Sequence, residues 1–296
     1  MSTDFSAKPF PIPVVSLMQP GAHDDDGLDY LHMPSGMATY QAPLLPEPED
    51  LAGHGPALTA LHQVLDGLRR AAAGEAVAPV SLLGLSPADL ALVHQVMGEG
   101  EVSAQVLGAP GDATIAPRLQ VQEAVFAGVW RVIGQGADGQ PIDQIELGAV
   151  PQGLLLAARE DGRQPPATLE LPPEAGNAQA VLVELESHRQ HWRAGLPAEV
   201  VNLSLLPLTP LDISLMDARL GTGRVLILSR GYGNCRITNA CVPNTWRVVY
   251  YNSQDTVILN SVEVCAIPEV ACAAPEDLAD SVERLTEVLE WVDGGV

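Results

Sequence analysis

Lysine is almost absent from this sequence: Lys8 is the single example, and every other side-chain cation apart from the histidines is an arginine. Lys and Arg together number 15 against 37 Asp and Glu, which gives a net charge of -22 and a pI near 4.4. Such a chain repels phosphate backbones and anionic lipid, because nucleic-acid binding depends on cations that displace counterions. Nucleic acid is therefore excluded as a partner, and the acidic excess points to solubility or to a basic client. Long hydrophobic runs are missing too: Val77–Leu85 is of strand length and is broken by Pro79 and Gly84, far short of the roughly 18 apolar residues that cross a bilayer. No membrane insertion is expected. The segment Met1–Val15 lacks a basic stretch followed by an apolar one and carries Pro9, Pro11 and Pro13, so no export signal is read and a cytoplasmic location is expected. Cysteine is scarce and confined to Cys235, Cys241, Cys265 and Cys272, unlike the chain-wide staples of a secreted disulfide framework.

What is present suffices for folding. Hydrophobic residues make up 47% and charged residues 18% of 296 residues, enough apolar side chain to offset the entropy of ordering in two domains of about 150 residues each.

The chain says nearly the same thing twice. Val80-Ser81-Leu82-Leu83-Gly84-Leu85-Ser86-Pro87-Ala88-Asp89 is echoed by Leu203-Ser204-Leu205-Leu206-Pro207-Leu208-Thr209-Pro210-Leu211-Asp212. Gly100-Glu101-Val102 returns as Gly223-Arg224-Val225, Trp130-Arg131-Val132 as Trp246-Arg247-Val248, and Ile145-Glu146-Leu147 as Val262-Glu263-Val264. The fold class that follows is α+β, two tandem copies of a helix-strand-helix-three-strand module with mainly antiparallel sheets. Residues 1–55 form an acidic, largely irregular N-terminal arm in this reading, 56–158 the first repeat, 159–177 a Pro-rich linker and 178–296 the second repeat.

Leu58, Leu61, Leu65 and Leu68 mark one helix face, and Ser86-Pro87-Ala88-Asp89 and Thr209-Pro210-Leu211-Asp212 are helix starts with a capping hydroxyl, a first-turn proline and an acid at the third position. Strands are expected near 101–107, 121–133 and 142–150, then near 224–229, 245–251 and 257–265. A last helix from about Pro275 to Val292 is expected to close the second core.

The repeat also filters candidate sites, since a residue that only the fold needs should occur in both copies. Trp130 and Trp246 are then architectural, and Glu146 and Glu263 are expected to pair with the neighbouring-strand Arg131 and Arg247. The cysteines belong to one copy alone. Their spacings, Cys-x5-Cys and Cys-x6-Cys, are looser than the Cys-x2-Cys of most structural zinc or cluster sites; small buried thiols are the favoured reading, with zinc or an iron–sulfur cluster as the alternative. The histidines form no His-Glu-x-x-His, and the only ones in the second copy, His188 and His191, fall on a helix remote in sequence from the cysteines, so no catalytic residues are assigned.

The strongest local oddity is Ser229-Arg230-Gly231-Tyr232-Gly233-Asn234-Cys235-Arg236, where glycines flank a tyrosine and Arg224, Arg230, Arg236 and Arg247 gather in an acidic chain. A glycine-bent hairpin with internally paired arginines and a peptide- or cluster-binding loop both remain open. No helix start follows to make it a nucleotide loop.

Gly231-Tyr232-Gly233-Asn234-Cys235-Arg236-Ile237, Asn244-Thr245-Trp246 and Tyr251-Asn252-Ser253-Gln254-Asp255-Thr256-Val257-Ile258-Leu259-Asn260 resemble the HupH/HyaF/HoxQ hydrogenase expression/formation family. The likeness continues through Pro268-Glu269-Val270-Ala271-Cys272 and, upstream, Met33–Tyr40 and Leu44–Glu49. The resemblance implies a non-enzymatic factor that binds the iron–sulfur small-subunit precursor of an uptake [NiFe]-hydrogenase, alongside a thioredoxin-like maturation partner. On this reading Arg230, Gly231, Tyr232, Gly233, Asn234, Cys235, Arg236 and Asp255 contact the client, with no resident cofactor. The alternative is an iron–sulfur or metal carrier that uses Cys235 and Cys272.

Overall fold

In the computed structural model the described residues are 53–108, 118–136, 138–167, 172, 175–231 and 233–294. Residues 1–52 of the N-terminal arm, most of the 168–174 stretch and Tyr232 lie outside them, and the arm gives way to α1 at Gly55.

The first copy runs α1 (Gly55–Ala72), β1 (Val80–Ser81), α2 (Pro87–Met97), β2 (Val102–Val106), β3 (Leu119–Glu123), β4 (Val129–Gln135), β5 (Pro141–Leu147) and α3 (Gln152–Asp161). The second repeats the order with α4 (Gly176–His191), β6 (Glu199–Asn202), a 3-10 turn Leu203–Leu205, α5 (Pro210–Leu220), β7 (Val225–Ser229), β8 (Asn234–Asn239), β9 (Thr245–Tyr251), β10 (Val257–Val264), a 3-10 turn Glu269–Ala271 and α6 (Pro275–Gly294). The protein is α+β, a tandem repeat in which each copy contributes four antiparallel strands after its second helix, not three.

Two strands went unread for different reasons. The stretch 121–133 is apolar through its middle and hides the turn at Gly128 (φ +80°) that splits β3 from β4. β8 reads as loop because of the glycines just before it and its own polar residues, although Cys235, Ile237 and Asn239 point inward while Asn234, Arg236 and Thr238 do not, the alternation of a half-buried strand.

Among the described residues, ten strands form one sheet in the order β1-β5-β4-β3-β2-β7-β8-β9-β10-β6. The order is a palindrome, each copy being the other's counterpart about the β2–β7 seam. Ala104 and Ile227, which are counterparts in the repeat, are also each other's partners across that seam, with Val102 opposite Ser229 and Val106 opposite Val225. The seam is closed at both ends by equivalent bonds, Leu107 N–H to Arg224 O (2.9 Å) and Arg230 N–H to Glu101 O (3.2 Å). This self-matching register is what a two-fold interface between identical strands requires.

The helix starts form as their sequences dictate. Asp89 N–H donates to Ser86 Oγ at 3.1 Å, and Thr209 and Asp212 make a reciprocal capping box. Trp130 and Trp246 are each 1% exposed and donate their indole N–H to Gly148 O and Ala266 O.

Three other expectations fail. Glu146 does not pair with Arg131, nor Glu263 with Arg247. Arg131 stands opposite Ile145 and Trp130 opposite Glu146, so arginine and glutamate lie on opposite faces of the sheet. Arg131 instead meets Asp143 at 3.2 Å and Arg247 meets Asp217 of α5 at 3.2 Å. Secondly, α6 does not close the second core but packs on α1 of the first copy. Arg69 of α1 donates to Thr286 at 3.2 Å and Arg284 to Val125 O at 3.3 Å. Thirdly, the echo of Leu82 in Leu205 is shifted by two residues. Val80 pairs with Ile145 as Val201 pairs with Val262, so Leu203 (3% exposed) takes the place of Leu82 (1%) and Leu205 is turned out at 80%.

Residues 159–161 belong to the last turn of α3 rather than to a spacer. They reach into the second copy: Asp161 accepts from Arg224 N–H and Arg224 Nε (both 2.7 Å) and from Asn239 Nδ2 (3.0 Å). Each copy thus sends its closing helix toward the other.

Candidate functional site

Ser229 pairs with Cys235, so the residues between them form the tip of the β7–β8 hairpin. Arg230, Gly231, Gly233 and Asn234 are exposed there. Gly231 lies close to the first copy: a Cβ on it would lie 2.0 Å from Glu101 Oε2, the far end of a flexible side chain. Gly233 is required by its backbone, at φ +100°.

β9 and β10 bring a second turn alongside. Asn234 stands opposite Tyr251, which in turn stands opposite Val257, so the β9–β10 turn and the hairpin tip share one end of the sheet. In that turn Asn252 Oδ1 accepts from the N–H groups of Gln254 and Thr256 at 2.9 Å each, which holds Asp255 exposed in the left-handed region at φ +56°. Arg236 lies over the Tyr251 ring, 5.5 Å from its centroid. Leu228, Val257 and Ile258 add exposed apolar surface at this end; Ile258 is 62% exposed.

The residues singled out in the sequence therefore divide. Arg230, Gly231, Gly233, Asn234, Arg236 and Asp255 come together, while Tyr232 lies outside the described residues. Cys235 sits beneath them, 2% exposed, opposite Tyr250 and hydrogen-bonded to its hydroxyl. Arg224 and Arg247 are not part of this surface. Arg224 is held by Asp161 and Glu160 and Arg247 by Asp217, so the local positive charge at the tip reduces to Arg230 and Arg236. The apolar trio does not stand out in the sequence because Val257 and Ile258 read as ordinary strand residues; the one signal is a pair of adjacent apolar side chains, which cannot both face a core in a strand.

The model of the HupH hydrogenase expression protein C-terminal conserved region matches this sequence twice, over residues 55–171 and 175–292. The chain belongs to the HupH hydrogenase expression family. Among relatives, it is 50% identical over 285 residues to the hydrogenase expression/formation protein HoxQ of Cupriavidus necator, covering 96% of this chain and 98% of that one. It is 45% identical to HupH of Rhodobacter capsulatus, over 90% and 92% of the two chains, and 32% identical to the hydrogenase-1 operon protein HyaF of Escherichia coli, over 93% and 95%. A solved structure, that of the hydrogenase expression protein HupH from Thiobacillus denitrificans, is 31% identical over 40% of this chain and 97% of that one, with a TM-score of 0.36.

In this HupH-family chain all four cysteines are free thiols. Burial pushes the Cys235 and Cys272 thiols up to about 11 and raises Cys241 and Cys265 as well, whereas metal ligation and nucleophilic attack both use the thiolate. Among the described residues no group of three or more His, Cys, Asp and Glu side chains could hold a metal ion. Nor does any described helix have the length and apolarity to cross a membrane.

The two glycines predict different outcomes. Gly233→Ala should cost about 1–2 kcal/mol from left-handed backbone strain. Gly231→Ala only displaces the mobile end of Glu101 and should cost less than about 0.5 kcal/mol. Urea unfolding of the two variants checks this; equal losses would contradict the assigned roles.

Proposed function

We propose that this protein binds the iron–sulfur small-subunit precursor of an uptake [NiFe]-hydrogenase in the cytoplasm, holding it while clusters are inserted or protected before export. It does so as a chaperone without chemistry of its own and alongside a thioredoxin-like maturation partner. The observation that carries the reading is the end of the sheet where Arg230, Gly233, Asn234 and Asp255 stand exposed beside Leu228, Val257 and Ile258. Exposed polar groups in two adjacent turns, interleaved with apolar side chains of the strand ends, suit a polypeptide better than a small molecule. The names of the relatives, hydrogenase expression/formation proteins and a hydrogenase-1 operon protein, favour a hydrogenase polypeptide as that client. The net charge of -22 would draw a basic export segment toward the protein.

The test is co-purification with a tagged small-subunit precursor. Wild type should be recovered in near-stoichiometric amount, and Arg230→Glu combined with Asp255→Lys should reduce recovery at least about tenfold, a loss of about 1.4 kcal/mol. Unchanged recovery with that double variant would contradict the assigned surface. Protein purified anaerobically should carry no stoichiometric iron, sulfide or zinc; metal that disappears in Cys235→Ser would instead support a carrier.

A further inference from the structure

The repeat exposes a difference between the second helices of the two copies. α2 and α5 are counterparts, and in the second copy α5 is drawn onto its strands by fully buried Met216 and by Asp217, which meets Arg247 at 3.2 Å. The first copy has Val93 and His94 at those two positions. Val93 is smaller than methionine, and Arg131, the counterpart of Arg247, turns to Asp143 of β5 instead (3.2 Å). A cavity of about 450 Å³ results between α2 and the sheet, lined by His94, Met97, Gln120, Arg131, Ile133 and Leu226 among others. His94 Nε2 is buried at it with no hydrogen-bond partner. A buried polar atom without a partner costs free energy that a ligand can restore.

We propose that this cavity binds a neutral aromatic group bearing one hydrogen-bonding atom, a phenol or an indole. Its volume falls in the range of small-ligand pockets. The apolar walls and the Met97 thioether favour a ring, and His94 Nε2 supplies one polar contact. A charged ligand has no counter-charge to meet, because Arg131 is already paired with Asp143, Glu99 stands at the rim, and the whole protein is acidic. Burial, followed by the neighbouring Arg131, lowers the His94 pKa and keeps the imidazole neutral. The group can come from a free small molecule or from a tyrosine or tryptophan of a polypeptide. The cavity borders the hairpin surface through Leu228, and the ligand assigned to it does not depend on the client assigned there.

The experiment titrates the full chain with p-cresol, toluene and N-acetyltyrosinamide, following the Met97 methyl and His94 imidazole NMR signals. p-Cresol should shift both signals saturably with a dissociation constant on the order of a millimolar. Toluene should bind about fivefold more weakly, the value of one hydrogen bond. His94→Phe should remove that preference. Val93→Met, which copies the filled second copy, should abolish the shifts without lowering thermal stability. Stronger binding of N-acetyltyrosinamide than of p-cresol assigns the site to a polypeptide side chain, and the reverse to a free molecule. Absence of saturable shifts in wild type at millimolar p-cresol, equal affinity for toluene, or undiminished binding in Val93→Met would overturn the proposal.

Discussion

Asp161→Ala should lower the melting temperature by about 10 °C, the largest loss expected from any single polar substitution in this protein. The carboxylate is 5% exposed, sits at the end of α3 and accepts from Arg224 N–H, Arg224 Nε and Asn239 Nδ2 across the boundary between the copies. Its removal leaves Arg224 Nε, the Arg224 backbone N–H and the Asn239 amide without this acceptor, with only the exposed Glu160 still on the guanidinium, which costs about 3–5 kcal/mol. For a protein of this size each kcal/mol is worth about 2–4 °C. Glu160 also meets Arg224, at 2.8 Å, but is largely exposed, so Glu160→Ala should cost less than about 1 kcal/mol. Differential scanning calorimetry of the two variants reads the contrast; a similar small loss in both would show that α3 does not tie the copies together.

Glu123→Gln should raise stability at pH 8 and leave it nearly unchanged at pH 5. Glu123 is the counterpart of Asn239, both standing opposite the conserved-in-repeat tryptophan of the next strand. In the first copy, however, Arg224 is replaced by Glu101, and α6 brings Asp277 close. Burial pushes the Glu123 carboxyl from its ordinary 4.5 up to about 7, opposed by hydrogen bonds from the Gly128 and Val102 backbone and reinforced by Glu101 and Asp277. The folded state therefore holds its proton where the unfolded chain has lost it. Stability from this group is highest below about pH 4.5, declines as pH rises toward 7, and the penalty is complete above that. Its size is on the order of 3 kcal/mol. The neutral amide can accept the same two backbone bonds at every pH. Thermal unfolding of wild type and variant from pH 5 to 8 checks the sign; parallel curves would contradict it.

Much of this architecture is legible in the residues, because a duplication supplies its own comparison. Trp130 and Trp246, the Ser86 and Thr209 caps and the two-copy α+β fold follow from patterns local to a few residues. The shared sheet does not, since nothing in Val102–Val106 or Val225–Ser229 says that each strand will take the other as its neighbour. The failed pairing of Arg131 with Glu146 has the same root: adjacent strand positions alternate faces, and a register is needed to say which residues meet. The crossing of α6 onto α1 and of Asp161 onto Arg224 is a long-range choice, encoded in the match between helix faces and not in the helix sequences themselves. At the candidate surface, the glycines announced a bend, but whether Arg224 and Arg247 were free or internally paired depended on Asp161 and Asp217, far away in the chain.

Hydrogen exchange of the full-length protein, alone and with the hydrogenase small-subunit precursor, tests the functional account most directly. The account predicts that the precursor slows amide exchange in residues 228–236 and 251–258 and leaves the first copy's β3–β4 strands unchanged. Protection confined to the first copy, or none at all under conditions where the two proteins co-purify, would contradict it.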